Sequence, residues 1–524
     1  MALLAHWAAK APERIAAHFP AQSVALTYGA LDARAERVAR WLTGLGLAPG
    51  EAIALLLDNR PEYLELAEGA RRAGLHWVPL SVHLRPHEVA YVLNDSGARL
   101  LVASPALATL AAQLVAEGAA GERPRFALGI GLPGYRDYEA ALAAVDLAPP
   151  REPRPLGQVF LYSSGTTGLP KGIRRPLVPW ADRDKPMWDM TWKTLYGFDE
   201  ATVYLSPAPL YHAAPHGYVQ RTLSEGGTAV ILPKFDPEAA LAAIERYRVT
   251  HSQWVPTMFV RLLALPEAVR RRYDLSSHRC AIHAAAPCPV PVKRAMIAWW
   301  GPIIREYYAG SEGVGTTVAD SETWLRRPGT VGLPVNGVKV HILDDDGREL
   351  PAGQVGRIFF EGGPRFAYHN ATEKTAASYN EAGWATLGDL GWLDAEGYLF
   401  LSDRRADLIL SGGVNIYPAE VEAVLAAHPA VAEVAVVGVP DPEMGERVHA
   451  VIVPAAGATG PDAAVTAALE AWCRERLAGP KRPRSWEFAQ ELPRSEAGKL
   501  LRRLLKERYL GEGSAQAGAG ATTG

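Results

Sequence analysis

The feature of this sequence that most constrains its fold is a recurring alternation of short apolar runs with amphipathic segments of helical periodicity. Residues 52–57 form an uninterrupted apolar run, which is typical of a strand buried on both faces. Residues 61–72 follow with helical spacing and begin at a proline, as many helices do. The same order recurs at residues 202–206, 216–225, 229–232 and 237–247. The alternation predicts an α/β fold of mostly parallel sheets covered by helices.

The pattern changes after Gly332, where short apolar runs are separated by glycine-containing turns. Residues 338–343, 356–360 and 398–401 are such runs, and together they predict a β-rich antiparallel subdomain. Beyond Asp403, a compact order of helix, strand, strand and helix follows at residues 418–428, 431–437, 447–453 and 462–476. This second order predicts a small α+β unit at the end of the chain.

These changes of pattern suggest three regions. We expect a large N-terminal body over residues 1–403, made of helix-covered sheets and the β-rich subdomain. A small, mobile C-terminal domain should cover residues 404–510. Residues 511–524 are Gly, Ala, Ser and Thr with few other types, so they should form a disordered tail.

The composition excludes several classes of protein. Of the 524 residues, 48% are hydrophobic, which supplies a large core and excludes a mainly disordered chain. The formal net charge is −3, so no overall basic bias indicates a nucleic-acid partner. We expect no secretory signal and no integral membrane segment. Cys280, Cys288 and Cys473 are widely spaced, offer no zinc site and indicate reduced thiols in a cytoplasmic protein.

The most informative motif is a polar loop that directly follows the apolar residues 159–162. It contains Ser163, Ser164, Gly165, Thr166, Thr167, Gly168 and Lys171. Glycines let the backbone approach a phosphate closely, hydroxyls add donors, and the lysine adds a positive charge. The spacing between the glycines and the position of the lysine differ from those in the P-loop of nucleoside triphosphatases. A flexible polar linker would not need so many hydroxyls beside a buried strand, so the loop predicts a polyphosphate site.

A second motif is the segment that contains Tyr308, Ser311 and Glu312. The apolar residues before it suggest a strand that leads into a turn, and active sites of α/β sheets commonly lie at the ends of such strands. The Glu312 carboxylate could hold Mg²⁺, which usually needs only one or two protein carboxylates besides phosphate oxygens. A Ser-Glu pair near glycine is common, so this motif by itself is weak.

Three charged residues stand out in the last part of the chain. Asp389, between Gly388 and Leu390, could accept hydrogen bonds from ribose hydroxyls. Arg404 could contact phosphate or ribose. Lys499 follows a glycine and precedes a helix-like apolar run, so it could be swung into a site. Turn chemistry and surface charge would explain each residue if it stood alone.

Together, in their order and spacing over about residues 26–509, these motifs resemble the adenylate-forming superfamily. This superfamily comprises acyl- and aryl-CoA synthetases, luciferases and adenylation domains, and the chain is most similar to a fatty or aromatic acyl-CoA synthetase. The resemblance implies that residues 163–172 bind phosphate, that Glu312 holds Mg²⁺, and that Asp389 binds the ribose of ATP. It implies that Arg404 belongs to the hinge between the domains and that Lys499 drives adenylation.

The same resemblance assigns roles to three shorter segments. The adenine pocket would be formed by Ala285, Ala286 and Pro287, beside Tyr308 and Ser311. His212 would line the acyl pocket near the substrate carboxylate, unless it is a histidine satisfied within the core. The pantetheine channel would run beside Ser411, Gly412 and Gly413.

The chain departs from the superfamily pattern at several positions, including the adenine-pocket segment at residues 283–287, which has alanines where glycines are frequent. Ala309 stands where glycine is usual, and Ser311 and Leu387 stand where threonine is usual. Ala406 stands where the hinge often carries Asp or Lys. The hydroxyl and the carboxylate of the second motif are kept, whereas a salt bridge in the hinge is put in doubt.

The resemblance implies an ATP-dependent acid–CoA ligase. Its reaction would join a carboxylic acid to ATP, giving acyl-AMP and pyrophosphate, and would then pass the acyl group to coenzyme A. Two alternatives stay open at this point: an adenylation enzyme that loads a carrier-protein phosphopantetheine, and a catalytically inactive nucleotide-binding homologue. A homodimer is one expectation for the assembly.

The aromatic-rich region at residues 180–198 favours a hydrophobic acid, either fatty, aromatic or polycyclic, over acetate. The large apolar side chains that could line its pocket are Trp188, Trp192, Tyr196, Tyr211, Trp254, Met258 and Phe259. Ordinary core packing explains these side chains equally well.

Overall fold

The computed structural model describes residues 4–129, 131–146, 153–163, 170–183, 191–404, 407–411, 414–441, 444–455, 463–477, 479–494 and 500–517. The strands of these ranges are β1 (Ile15–Phe19), β2 (Val24–Thr27), β3 (Ala52–Leu56), β4 (His76–Pro79), β5 (Ala98–Ala103), β6 (Arg125–Ala127), β7 (Arg136–Asp137), β8 (Phe160–Ser163), β9 (Lys171–Arg174), β10 (Val203–Ser206), β11 (Thr228–Ile231), β12 (His251–Trp254), β13 (Cys280–His283), β14 (Ile304–Ala309), β15 (Thr316–Asp320), β16 (Thr330–Pro334), β17 (Lys339–Leu343), β18 (Gly356–Glu361), β19 (Asp389–Leu393), β20 (Leu399–Arg404), β21 (Ile409–Ser411), β22 (Val414–Ile416), β23 (Val431–Asp441), β24 (Gly445–Pro454) and β25 (Ser485–Phe488).

The α-helices of the same ranges are α1 (Leu4–Lys10), α2 (Tyr28–Gly44), α3 (Pro61–Arg72), α4 (Pro86–Asp95), α5 (Ala108–Ala116), α6 (Tyr138–Ala143), α7 (Thr191–Tyr196), α8 (Ala213–Ser224), α9 (Pro237–Tyr247), α10 (Pro256–Leu263), α11 (Glu267–Arg270), α12 (Val290–Trp300), α13 (Ser321–Arg326), α14 (Thr372–Ala376), α15 (Pro418–Ala426), α16 (Ala463–Arg476) and α17 (Arg502–Ala517). None of them is both long and apolar enough to cross a membrane.

The largest sheet has 13 strands in the order β17-β18-β19-β20-β16-β15-β14-β13-β12-β10-β11-β1-β2. The strands β1, β11, β10, β12, β13 and β14 are parallel neighbours, and antiparallel pairing takes over from β14 to β15. Because the carboxyl ends of parallel strands lie at one edge, the segments that follow β13 and β14 are brought together there. Those segments contain the predicted adenine pocket and Glu312.

Successive residues of the parallel strands face two different cores, as the alternation of a strand requires. Tyr204 and Ala229 pack with residues of α2, α3 and α8. Leu205 and Val230, which follow them in sequence, pack with residues of α9, α10 and α12. Burial on both faces explains why these strands read as short continuous apolar runs.

A second sheet has five parallel strands in the order β4-β3-β5-β6-β7. Ile53 of β3 belongs to the core that contains α2 and α3, whereas Ala54 packs with residues of α4 and α5. The antiparallel hairpin β8–β9 stands beside this sheet, where Val159 bridges to Trp77 of β4. The hairpin therefore carries the ends of the polar loop.

The C-terminal region forms its own sheet in the order β22-β21-β24-β23, with β25 paired to β24. The helices α15 and α16 cover one core of this sheet, and α17 contributes the fully buried Leu505 to another. The predicted class, a large α/β body and a small α+β domain, is confirmed. The boundary at residues 403 and 404 stays a prediction.

The predicted antiparallel, β-rich part after Gly332 is confirmed, and its strands continue the edge of the largest sheet through β15 and β16. One expectation differs from the structure. The last helix runs to Ala517, so residues 511–517 do not follow the predicted disordered tail. Extending an anchored helix needs no new nucleus, and the buried Leu505 anchors this one. Residues 518–524 lie outside the described residues.

Candidate active site

The two ends of the polar loop are fixed to the rest of the molecule. Ser163 ends β8 and pairs with Lys171, which begins β9. The Tyr162 hydroxyl donates to Asp95 Oδ2 at 2.6 Å, and the Tyr91 hydroxyl donates to the carbonyl oxygen of Pro170 at 3.2 Å. Both anchors belong to α4, so this helix holds both stems. Residues 164–169, which include Ser164, Gly165, Thr166, Thr167 and Gly168, lie outside the described residues.

Glu312 lies in the turn after β14 and is half-buried. Its Oε1 accepts a hydrogen bond from the Tyr368 hydroxyl at 2.7 Å. Its Oε2 lies so close to Gly310 that a Cβ added there would be 2.6 Å away. The Lys171 Nζ stands 4.9 Å from the centroid of the same Tyr368 ring. Tyr368 therefore contacts both a carboxylate and an ammonium group beside one end of the loop.

Asp389 begins β19, where a tyrosine fixes it. The Tyr308 hydroxyl of β14 donates to Asp389 Oδ2 at 2.6 Å. The backbone of Asp389 pairs with that of Arg404 at the end of β20. Nothing is described of the Arg404 side chain. Tyr308 and Asp389, which are far apart in sequence, thus form one wall of the site.

Ser311 directly precedes Glu312 in the turn after β14. The Arg175 guanidinium donates to the Ser311 carbonyl oxygen at 3.2 Å, and its Nη2 would be 3.1 Å from a Cβ at Gly313. Burial lowers the pKa of Arg175, and the positive charge of Arg221 lowers it further. This part of the site is therefore electropositive, which suits phosphate or a carboxylate.

The predicted adenine segment follows β13 at the same edge of the sheet. Ala284 is buried, Ala286 is half-buried, and Ala285 and Pro287 are exposed. Ala285 has φ of +79°, which is a conformation that costs a residue with a Cβ roughly 1 kcal/mol or more. Backbone strain of this kind is common at functional sites.

His212 is the residue that precedes α8, with φ of −87° and ψ of 149°. It is half-buried, and its ring centroid is 4.6 Å from that of Tyr211. The histidine that is buried in the core is His216, one turn later, whose ring packs against Tyr63 and Trp77. The His212 residue is half-buried and its Nε2 atom is buried, so its place in the acyl pocket stays a prediction.

The remaining predicted residues are placed only in part. Ser411 ends β21 and is buried. Gly412, Gly413 and Lys499 lie outside the described residues. Among the proposed pocket residues, Trp188 and the side chain of Trp192 are also outside them. The other five are buried, and Trp254, Met258 and Phe259 belong to the core that contains α9 and α12. Core packing accounts for these three.

Two residues of the candidate site, Tyr368 and Arg175, lie outside the sequence motifs. Arg175 directly follows β9, four positions after Lys171, so its closeness to the loop in sequence was a usable signal. Tyr368 follows no recognisable pattern and reaches Glu312 only through the tertiary fold. Both residues contact motif residues directly.

The residues present can accommodate Mg²⁺. In the described part of the chain, no group of three or more His, Cys, Asp or Glu side chains is arranged to hold a metal ion. A single held carboxylate beside a phosphate site is nevertheless what Mg²⁺ needs, because the substrate phosphates supply further oxygens. Glu312 meets this requirement.

Comparison with known proteins gives a consistent result along nearly the whole chain. Residues 4–366 match the model of the AMP-binding enzyme family, and residues 420–499 match that of the AMP-binding enzyme C-terminal domain. Feruloyl-CoA synthase from Amycolatopsis sp is 36% identical over 93% of this chain and 94% of its own. Long-chain-fatty-acid–CoA ligase FadD13 from Mycobacterium tuberculosis is 31% identical over 94% of each chain.

Solved structures agree with these matches. The crystal structure of ATP-bound MatB from Rhodopseudomonas palustris superposes with a TM-score of 0.82 at 30% identity, covering 97% of this chain and 98% of that one. The o-succinylbenzoate CoA synthetase MenE from Bacillus subtilis, in complex with its acyl-adenylate intermediate, gives a TM-score of 0.79 at 29% identity. That superposition covers 96% of this chain and 97% of MenE.

Proposed function

Because this chain belongs to the AMP-binding enzyme family, we propose that it is an ATP-dependent acid–CoA ligase that activates a hydrophobic carboxylic acid. The observation that carries this proposal is the pair of carboxylates, Glu312 and Asp389, each held by a tyrosine hydroxyl. The Lys171 ammonium lies over the ring of Tyr368, the tyrosine that holds Glu312. Two fixed carboxylates and a lysine suit a nucleoside triphosphate, with Glu312 available to the metal ion and Asp389 to the ribose hydroxyls.

The first half-reaction forms an acyl-adenylate. A carboxylate oxygen of the acid attacks the α-phosphorus of ATP, the bond to the β-phosphate oxygen breaks, and pyrophosphate leaves. Charge builds on the phosphate oxygens, so fixed cations and donors lower the barrier. Lys171 and the hydroxyls of residues 163–167 hold the polyphosphate, and Lys499 supplies a cation at the α-phosphate. When bound at Glu312, Mg²⁺ would neutralise phosphate charge.

The remaining residues orient the nucleotide and the acid. Asp389 accepts the ribose hydroxyls, while Ala285, Ala286 and Pro287 line the adenine, beside Tyr308 and Ser311. His212 contacts the acid near its carboxylate, at the positive end of α8. Arg404 belongs to the hinge.

In the second half-reaction, the thiol of CoA loses its proton to solvent and its sulfur attacks the acyl carbon. The bond from the acyl carbon to the phosphate oxygen breaks, and AMP leaves with that electron pair. The small domain rotates about residues 403–404 between the two steps, which withdraws Lys499 and opens the channel beside Ser411, Gly412 and Gly413. Free CoA is the acceptor because the relatives that cover the chain almost completely include CoA synthases and CoA ligases. A ligase that charges an acyl-carrier protein, ScoC, is also 31% identical, so carrier loading is the second candidate.

The cysteines bear on the cellular compartment of the protein. The three cysteines are unpaired, and burial raises the pKa of Cys280 to about 12, so this thiol stays protonated. We place the protein in the cytoplasm on this ground.

A homodimer is the proposed assembly. Sedimentation of the full chain tests it, and a species with the mass of one chain would contradict it.

The proposal is tested by a screen of hydrophobic acids with ATP, Mg²⁺ and CoA. The panel contains cinnamic-type, fatty and polycyclic acids, and the readouts are pyrophosphate release and the mass of the thioester. At least one acid should give both products. ATP binding without any acid-dependent pyrophosphate release would instead support an inactive homologue. Pyrophosphate release with thioester formation only on a phosphopantetheinyl carrier would favour the second candidate.

Lys499→Ala tests the division into half-reactions. Acyl-AMP formation should fall on the order of a hundred-fold or more, because a cation at the developing charge is lost. Thioester formation from supplied acyl-AMP should stay near the level of the unchanged enzyme. Lys506→Ala, a basic residue of α17, is the control and should affect neither step. An equal fall in both steps would contradict the role given to Lys499.

A further inference from the structure

Tyr368 contacts two charged groups of the site. Its hydroxyl donates to Glu312 Oε1 at 2.7 Å, and its ring lies beneath the Lys171 ammonium at 4.9 Å from Nζ to the centroid. No motif of the sequence includes this residue. One phenol therefore touches both the carboxylate suited to the metal and the cation suited to the phosphates.

The hydrogen bond from Tyr368 leaves Glu312 with little rotational freedom. Oε1 is engaged by the hydroxyl, and Oε2 lies against the backbone at Gly310, where a Cβ would come within 2.6 Å. A charge-assisted hydrogen bond on one oxygen and a close backbone contact on the other set the plane of the carboxylate. Its orientation toward a metal is thus determined before any ligand arrives.

Tyr368 is itself held against the stem of the polar loop. It forms an isolated β-bridge with Ile173, and its backbone N–H donates to the Thr375 hydroxyl at 2.9 Å. The next residue, His369, donates its backbone N–H to the carbonyl oxygen of Gly172 at 2.8 Å. Movement of β9 would therefore move Tyr368, and with it the Glu312 carboxylate.

We propose that Tyr368 is a positioning residue that couples Glu312 to Lys171, so that Mg²⁺ and the polyphosphate of ATP are bound as one unit. This inference rests on the proposed function, because it assumes that the site binds MgATP. The hydroxyl orients the carboxylate, whereas the ring face stabilises the ammonium by a cation–π contact. The two contributions can be separated by substitution.

The test is calorimetric titration of the full chain with ATP, with and without Mg²⁺. Tyr368→Phe keeps the ring beneath Lys171 and removes the donor to Glu312. It should weaken binding of MgATP by on the order of tenfold while metal-free ATP binds as before. Tyr368→Leu removes both contacts and should weaken both titrations. The Mg²⁺ concentration for half-maximal pyrophosphate release should rise in parallel.

Tyr379→Phe is the matched control. The Tyr379 hydroxyl bonds the backbone N–H and carbonyl of Phe366, so it supports the same segment without touching Glu312. The control should leave the Mg²⁺ dependence unchanged. Equal effects of Tyr379→Phe and Tyr368→Phe would overturn the inference, and so would a folded Tyr368→Phe protein whose MgATP binding is unchanged. Failure of the unsubstituted protein to bind MgATP would instead contradict the proposed function.

Discussion

Leu387 and Gly310 show how a departure from a family pattern can be accommodated at the scale of single residues. A Cβ added at Gly310 would be 2.5 Å from Leu387 Cδ2 and 2.6 Å from Glu312 Oε2. Leu387 therefore occupies space that a larger residue at 310 would need. In the superfamily motif the glycine directly follows the tyrosine, where this chain has Ala309, the last residue of β14. The glycine of this chain is the next residue, Gly310, and the side chains of Leu387 and Glu312 both approach it.

Gly310→Ala should lower the free energy of unfolding by about 1–3 kcal/mol, because it overpacks the contact with Leu387. Adding Leu387→Thr should restore much of this stability. Activity should stay low in the double variant, because the new methyl group still meets Glu312. Urea unfolding and acid-dependent pyrophosphate release measure the two effects. Gly44→Ala, where a Cβ meets nothing within 4 Å, is the control. Full recovery of activity by Leu387→Thr would show that Glu312 is not constrained by Gly310.

At the scale of elements, a buried ion pair joins α12 to β14, the strand that leads to Glu312. The Lys293 Nζ lies 2.5 Å from Glu306 Oε2, and the exposed fractions of the two side chains are 0% and 7%. Burial raises the pKa of Glu306, and Lys293 opposes that rise. The ammonium also stands over the Trp324 ring at 4.7 Å. The pair fixes α12, the helix after the predicted adenine segment, against the strand before Glu312.

Lys293→Met should lower the free energy of unfolding by roughly 3–5 kcal/mol, because it leaves the Glu306 carboxylate buried without its cation. The double variant Lys293→Met with Glu306→Leu should recover most of that loss, since no uncompensated charge is left. Chemical denaturation of the single and double variants provides the measurement. Additive losses in the double variant would argue against coupling between the two side chains.

At the scale of the whole molecule, histidines are buried in every large part of the fold. Five buried histidines have a pKa well below the usual 6.5, and burial is the main cause in each case. The pKa is about 3 for His278 and about 4 for the other four, which are His76, His216, His251 and His449. Between pH 6.5, the pKa in the unfolded chain, and the lower pKa in the folded protein, such a histidine is protonated in the unfolded chain but neutral in the folded protein. Acid therefore favours the unfolded chain over this pH range. Stability from these residues is therefore complete above pH 6.5 and is lost as the pH falls.

His216 allows a test of this acid sensitivity. Its shift from 6.5 to about 4 corresponds to about 3 kcal/mol of unfolding free energy lost between those pH values. His216→Leu should flatten the fall of stability by about that amount, as measured by urea unfolding from pH 7.5 to 4.5. The same substitution at the exposed His6 should leave the slope unchanged. An unaltered slope in His216→Leu would mean that this histidine is protonated in the folded protein.

Much of the fold was predictable because its signals are local. The helices at 61–72 and 237–247 have the predicted bounds, since a proline at the first turn and a regular apolar spacing mark each of them. The strands β16 and β19 were missed because they are short and interrupted by glycine. Their pairing comes from neighbours in the sheet, not from their own composition.

The sequence by itself determined the α/β class of the fold, and it predicts the residues of a nucleotide site, because the polar loop, Glu312 and Asp389 each belong to a short motif with its own chemistry. Only the tertiary structure decided which residues hold them. Tyr368 meets Glu312, and Leu387 meets the glycine beside it, through the register of strands that are far apart in the chain. A contact of that kind leaves no periodicity or spacing in one sequence, because it arises when a sheet brings distant segments to one edge.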